Sequence, residues 1–251
     1  MTVTLLDLSV PSSWPCDLEG YLAKHHDFFL DWETGRERAT GAQYDEFTRG
    51  LVGLLRHCAA VGWHCTRLTE DEISGIRSAG MQPMSAAMLE RRLDTVAADD
   101  LLSSTVAARL KAMHQARDQG RTGRIWFCFY PPRLAGEEDI ERFFRHWGGE
   151  ALYNFHEDDP VTSAALRTIG VPCVVEALVP LTGLSNIGSL ADKIARRYLI
   201  ARGHRTVEAV NHEGPITVPL DAANIREIWR FPSPEFCRVT GCDGWRRPIA
   251  G

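Results

Sequence analysis

The stretch "HCTRLTEDEISGIRSAGMQP" (64–83) combines two kinds of local structure. Its opening residues fit a short strand. Thr69 and Glu72 then have the spacing of a capping box, which predicts that a helix begins at this point. Gly80 follows the last turn of that helix and is placed to end it. The stretch therefore predicts a strand that leads directly into a short, capped helix.

The pair His-Cys occurs twice in this region, at His57-Cys58 and at His64-Cys65. Apolar residues three and four positions apart predict a helix over Tyr44–Ala60, and Gly62 is expected to end it. The first pair would then close a helix, whereas the second would belong to the strand. The two pairs are therefore expected to lie in different kinds of structure.

The soft ligands of these pairs suggest a zinc site, but their spacing disfavours one. Structural zinc sites pair ligands that are two to four residues apart. Six residues separate Cys58 from Cys65, and the predicted end of a helix lies between them. Cys237 and Cys242 are also spaced too widely to supply a second pair. The chain has seven cysteines, an odd number, and no C-x-x-C motif. We therefore expect reduced thiols and no metal site.

The composition is typical of a globular protein, with 251 residues, 44% of them hydrophobic and 24% charged. A net charge of −5 gives no broad electrostatic surface for nucleic acid. No apolar run reaches the ~18 residues of a membrane span, and the N-terminus lacks the basic region of a signal peptide. A cytoplasmic location without membrane contact is therefore expected.

The remaining segments predict helices and strands in an irregular order. Predicted helices cover Ser85–Ala98, Leu101–Gln119, Asp139–Trp147 and Ile187–Arg202, and predicted strands cover 125–130, 171–181, 205–210, 214–220 and 225–231. This order is typical of an α+β fold rather than of alternating βαβ units. We expect one α+β domain over 61–251, preceded by an N-terminal helical extension over 1–60.

Together with residues 64–83, three later segments resemble proteins of the ADP-ribosyltransferase fold. Those proteins have a strand with His-x-Thr, a short helix that ends at a glycine, and a later strand with a glycine and aromatic residues. The matching segments are "GRIWFCF" (123–129), "PCVVEALVPL" (172–181) and "NHEGPITVPLDAANIREI" (211–228). The resemblance covers about residues 60–231 and implies a split β-sheet core with inserted helices. The chain also resembles a bacterial protein family that shares "WFCF" and "FFRHWGGEALYN".

The resemblance implies a site for NAD as the substrate. His64 would bond the adenosine ribose, and Thr66, which is expected to face the same way in a strand, would support it. Arg67 is expected to contact the pyrophosphate. An aromatic residue from 126–130 would stack on the nicotinamide ring, and the candidates are Phe127, Phe129 and Tyr130.

The resemblance also implies a late glutamate that holds the nicotinamide ribose, and Glu213 fits this position best, followed by Glu208. Nicotinamide leaves from an oxocarbenium-like centre, so a fixed anion beside the developing positive charge favours cleavage. The implied function is an NAD-consuming ADP-ribosyltransferase or NAD glycohydrolase that acts as a toxin or defence effector. An antitoxin or regulatory partner would accompany it. The acceptor could be a protein, a nucleic acid, a small molecule or water.

The segment "HWGGEALYNFHEDDP" (146–160) is unusually rich in functional residue types. If it lines a pocket, Glu150 would be the carboxylate and Tyr153 the stacking group. If it binds a metal, imidazole and carboxylate ligands would come from His156, Glu157 and Asp158. If it is structural, Asp158 or Asp159 would cap a helix that begins at Pro160.

Two alternative functions follow from these observations. The first is a non-catalytic module of the same fold that binds a nucleotide or a protein. The second is a metal-dependent hydrolase or nuclease that uses the sequence His-Glu-Asp-Asp at 156–159. The transferase hypothesis predicts turnover of NAD, whereas the first alternative predicts binding without turnover and the second predicts dependence on a metal.

Overall fold

The computed structural model describes residues 4–35 and 39–249 and shows a mixed α+β architecture over them. Its strands are β1 (Thr4–Leu6), β2 (Cys58–Leu68), β3 (Ile125–Cys128), β4 (Val171–Pro180), β5 (Glu213–Ile216) and β6 (Ile225–Arg230). They form one sheet in the order β5-β3-β2-β4-β6, and β1 pairs in parallel with β2. β4 and β6 are antiparallel. The prediction of an α+β fold is confirmed.

The described residues form eleven α-helices. They are α1 (Cys16–Lys24), α2 (His26–Glu33), α3 (Gly41–Leu55), α4 (Glu70–Ala79), α5 (Ala86–Ala98), α6 (Ser104–Ala112), α7 (Glu137–Arg145), α8 (Glu150–His156), α9 (Pro160–Thr168), α10 (Ile187–Ala201) and α11 (Pro234–Thr240). None of these helices is both long enough and apolar enough to cross a membrane.

Contacts group the chain into two compact units, each built from several stretches. The first unit contains the described residues up to Gly62, with 128–130 and 178–215. In it, α10 packs against α2 and α3. The second unit contains 63–127, 131–177 and the described residues from 216 onward. Its α5, α6, α8 and α9 bury a continuous apolar cluster around Trp147. The predicted domain boundary at residue 60 stays a prediction.

The capped helix predicted after residue 68 is confirmed. The Thr69 hydroxyl accepts from the Glu72 N–H at 3.2 Å, and Glu72 Oε2 accepts from the Thr69 N–H at 2.9 Å. The same carboxylate accepts from Trp147 Nε1 at 2.9 Å and from Arg92 Nε at 2.6 Å. Gly80 ends the helix with φ 78°. The capping glutamate therefore also ties α4 to the apolar cluster of its unit.

The helix predicted over Tyr44–Ala60 is wrong at its end. The helix stops at Leu55, the strand begins at Cys58, and Gly62 lies inside that strand. Cys58–Ala60 pair with β1, and every residue from 58 to 63 is buried. Strand pairing and burial override the helix propensity of the two alanines in this segment.

The helix predicted over Leu101–Gln119 is much shorter in the structure. It spans Ser104–Ala112, because Ser103 caps its start and the chain then leaves the helix at Met113. The Gln115 N–H donates to the Ala151 carbonyl at 2.8 Å instead of continuing the helix. Met113, at the end of this helix, is exposed.

Three differences concern the second half of the chain. The strand predicted over 205–210 is absent from that described segment, where Val207 is 89% exposed and Lys193 Nζ bonds the Ala209 carbonyl at 2.8 Å. An exposed segment buries no apolar face and so gains nothing from sheet pairing. Residues 150–156 are helical, although no helix was predicted there. Helix α11 was not predicted, although Ser233 and Pro234 form a recognisable N-terminus.

Gly170 lies immediately before β4, where the backbone closely approaches the end of β2. Its φ of 63° is in the left-handed region. A Cβ atom at this position would lie 2.4 Å from the Leu68 carbonyl oxygen and 2.9 Å from the Thr69 nitrogen. Both the conformation and the close approach therefore require glycine.

We expect Gly170→Ala to destabilise the protein by at least about 2 kcal/mol more than Gly123→Ala, because the added methyl group collides with backbone that cannot move away. Gly123 is the matched control: its φ is 69°, and nothing lies within 4 Å of a Cβ there. Gly123→Ala should lower the free energy of unfolding by about 1–2 kcal/mol. Chemical denaturation of both variants measures the difference, and equal losses would contradict the assigned contact.

Candidate functional site

His64 lies on β2 and is oriented by the neighbouring strand. Its Nδ1 is 2.9 Å from the Trp126 carbonyl oxygen on β3. A carbonyl only accepts, so Nδ1 carries the proton, and in the neutral ring Nε2 is left as an acceptor. Burial lowers the pKa of His64, which favours the neutral form. The Phe127 ring lies edge-on with its centroid 6.0 Å away.

The residues that follow His64 are more deeply buried. Thr66 is almost inaccessible, and its hydroxyl donates to the Arg67 carbonyl at 3.3 Å. The Arg67 side chain is only 2% exposed. Its guanidinium donates to the carbonyls of Ile169, Phe144 and Gly170 at 3.0, 3.0 and 2.7 Å. In this geometry Arg67 joins the end of β2 to the start of β4 and the end of α7.

The candidate aromatic residues are core residues. Phe127, Phe129 and Tyr130 are each at most 3% exposed. The Tyr130 hydroxyl is buried without a hydrogen-bond partner, and burial raises its pKa. Trp126, which is 42% exposed on the same strand, presents the accessible aromatic surface, while its Nε1 donates to the Gly120 carbonyl at 3.2 Å. Strand alternation around Phe127 could have indicated this residue.

Glu213 begins β5, and its exposed side chain lies 3.9 Å from Cys128 Sγ. The backbone on both sides of it is fixed. The His212 carbonyl accepts from the Phe129 N–H at 2.9 Å, and the Glu213 carbonyl accepts from Asn186 Nδ2 at 2.9 Å. Glu208, the second candidate, is paired with Arg196 at 2.9 Å.

Glu150 and Tyr153 lie on α8 in different environments. Glu150 is in the first turn and exposed, and it pairs with Arg121 at 3.1 Å. Tyr153 is buried, and the Arg142 guanidinium lies 4.1 Å above its ring. Burial raises the pKa of its hydroxyl. The structure therefore gives Glu150 an accessible carboxylate and gives Tyr153 a packing role.

Three residues of the His-Glu-Asp-Asp sequence make structural contacts. His156 Nε2 is 2.7 Å from the Met113 carbonyl, and Glu157 pairs with Arg142. Asp159 caps α9 by accepting from the Val161 and Thr162 N–H groups. The hydrogen bonds from Thr162 and the Arg109 guanidinium lower the pKa of Asp159 to about 2. The predicted cap before Pro160 is confirmed.

A different group could share a metal ion. Within residues 4–35 and 39–249, the cluster identified by ligand geometry consists of Cys237, Cys242 and Asp243, whose ligand atoms lie within 4.8 Å of one another. Cys237 and Cys242 are therefore close in space despite their wide spacing in the sequence, because the turn between them returns the chain on itself. The expectation that the cysteines form no zinc site stays a prediction. Neither Cys58 nor Cys65 belongs to this cluster.

His146 forms a buried polar group that the sequence did not indicate. Its Nε2 accepts from Arg167 Nε at 3.2 Å and lies 3.4 Å from the Ser163 hydroxyl. Burial and the Arg167 charge lower the pKa of His146 to about 4. An imidazole that is 2% exposed and bonded to a cation as an acceptor is held in its neutral form.

Comparison of the chain with protein-family models, curated proteins and solved structures finds no match.

We expect Arg67→Ala to lower the free energy of unfolding by about 3 kcal/mol or more, because three carbonyls, two of them in buried hydrogen bonds, lose their charged donor. The exposed Arg91→Ala on α5 is the control and should change it by less than about 0.5 kcal/mol. Urea denaturation monitored by circular dichroism checks both. Normal stability in Arg67→Ala would show that the guanidinium does not hold this junction.

The depressed pKa of His146 predicts a loss of stability on acidification. The unfolded state takes up a proton near pH 6.5, whereas the folded state does so only near pH 4. The contribution of His146 to the free energy of unfolding is therefore fully present above pH 6.5, and about 3 kcal/mol of it is lost as the pH falls to 4. His146→Gln should flatten the pH dependence of the unfolding free energy across this window, and an unchanged slope would contradict the assignment.

Proposed function

We propose that this protein is an NAD-consuming enzyme with an ADP-ribosyltransferase-like fold that cleaves the bond between nicotinamide and ribose. The observation that carries the proposal is the fixed imidazole of His64. With Nδ1 committed to the Trp126 carbonyl, a neutral His64 leaves Nε2 to accept a hydrogen bond from a ribose hydroxyl. Burial favours this neutral state, so the acceptor is retained at neutral pH.

The proposed chemistry needs an anion rather than a strong base. As nicotinamide departs with the electrons of its bond, positive charge develops on the ribose, and the Glu213 carboxylate would stabilise it. The fixed main chain around Glu213 supports this role, because it limits the positions that the carboxylate can adopt beside the substrate. When water is the acceptor, its oxygen forms the new bond to ribose and a proton is released.

The stacking group in this proposal comes from β3. Phe127 lies beside His64 but is buried, whereas Trp126 is partly exposed on the same strand. Trp126 is therefore the aromatic residue of β3 with surface for a nicotinamide ring, and stacking would orient that ring for departure. Arg67 as a pyrophosphate contact stays a prediction, since its guanidinium already donates to three carbonyls.

The alternative of a nucleotide-binding module rests on the same His64 geometry and differs only in turnover. The metal-dependent hydrolase has less support, because His156, Glu157 and Asp159 are engaged in structural contacts. We therefore retain NAD cleavage as the leading proposal.

Incubation of the purified protein with NAD should release nicotinamide, which mass analysis detects. His64→Ala should reduce this release at least about tenfold, because one uncompensated hydrogen bond at the substrate is worth about 1.5 kcal/mol or more. His57→Ala is the matched control, since His57 is exposed and is likewise followed by a cysteine. No turnover together with no saturable NAD binding would refute the proposal, whereas binding without turnover would favour the nucleotide-binding module.

Two isosteric variants decide which glutamate supplies the anion. Glu213→Gln should lower kcat by about 100-fold or more while NAD still binds, because it removes charge stabilisation made mainly in the transition state. Glu150→Gln should leave kcat within about threefold, since Glu150 pairs with Arg121. The reverse pattern would move the role to Glu150.

A further inference from the structure

We propose that the end of α11 is a binding site for a thiophilic divalent cation of the zinc class, held by Cys237, Cys242 and Asp243. Their ligand atoms all lie within 4.8 Å of one another. Tetrahedral zinc with Zn–S bonds of about 2.3 Å separates its ligand atoms by about 3.7 Å. The distances between the ligand atoms would have to shorten by about 1 Å at most to complete the ligand set, and rotation of the side chains can supply this.

A tight turn brings these residues together. Ser233 caps α11 by accepting from the Phe236 N–H at 3.2 Å, so the helix that carries Cys237 has a defined start. Gly241 then adopts the left-handed conformation, with φ 69° and ψ 18°, and its N–H donates to the Cys237 carbonyl at 2.7 Å. This glycine reverses the chain and returns Cys242 to the helix end.

The turn is held in place independently of any metal ion. The buried Thr240 hydroxyl donates to the Phe236 carbonyl at 2.8 Å and accepts from the Cys242 N–H at 3.3 Å. The Cys242 carbonyl accepts from the Trp245 N–H at 3.2 Å. Both main-chain polar groups of Cys242 are therefore bonded, and the ligand position is preorganised.

The donor set determines the class of ion. Two thiolates favour zinc and similar soft or borderline ions over Mg²⁺ and Ca²⁺, which prefer sets of oxygen ligands. Three protein ligands leave a fourth tetrahedral position for water or another ligand. Asp243 is exposed, Cys237 is half-buried and Cys242 is buried, so an ion can enter from the Asp243 side. The inference is independent of NAD cleavage.

The test is a titration of the reduced, chelator-treated full chain with Co²⁺, followed by competition with Zn²⁺. We expect one ion per chain, thiolate-to-cobalt charge-transfer absorption that Zn²⁺ abolishes, and release of up to two protons per ion. Cys237→Ser should remove most of this absorption. Asp243→Asn, at an exposed position, should weaken binding at least about tenfold while leaving the fold intact. Cys16→Ser, at the exposed cysteine of α1, is the matched control and should bind as the parent does.

Two results would overturn the proposal. One is the absence of thiolate-to-cobalt absorption in the reduced chain. This result would overturn the proposal even if Cys237 and Cys242 form a disulfide when air is admitted. The other is cobalt absorption that persists in both Cys237→Ser and Asp243→Asn. Neither result depends on NAD turnover, which is measured separately on the same preparation.

Discussion

The buried guanidinium of Arg67 is the constraint on which the second unit depends. A charge removed from water must be surrounded by acceptors, and here the carbonyls of Phe144, Ile169 and Gly170 supply them. These carbonyls belong to segments far apart in sequence, so one side chain fixes the end of β2, the start of β4 and the end of α7 together. The close backbone approach at Gly170 follows from the same junction. The strand that carries His64 is thereby anchored three residues beyond that histidine.

Local signals predicted those elements that are specified by their own residues. The capping box at Thr69 and Glu72 and the cap of α9 at Asp159 each need only neighbouring backbone groups, and both have the expected geometry. Elements that depend on distant partners were less predictable. Cys58–Ala60 are a strand because β1 lies beside them, and β1 is more than fifty residues away in sequence. No periodicity within Tyr44–Ala60 could have shown where the helix ends.

The candidate site divides in the same way. The sequence identified His64 and placed it on a strand, but the carbonyl that orients it belongs to Trp126 on another strand. The chemistry of Arg67 suggested an anion partner, and only the fold shows that three carbonyls already occupy its donors. The separation of Cys237 and Cys242 hid their proximity, because a left-handed glycine changes the distance between two residues without changing their spacing. A rule based on ligand spacing therefore assumes a particular type of turn. The spacing of two to four residues that is typical of zinc ligands assumes a tighter turn than the one at Gly241.

The strand β2 also separates the two cysteines of the repeated His-Cys pair. Seven positions bring a residue back to nearly the same side of a helix, whereas in a strand the same interval ends on the opposite side. Cys58 and Cys65 both lie within β2, so their thiols project from opposite surfaces of the sheet. The backbone of the sheet thus lies between two chemically identical groups, and oxidation or metal capture at one thiol cannot recruit the other.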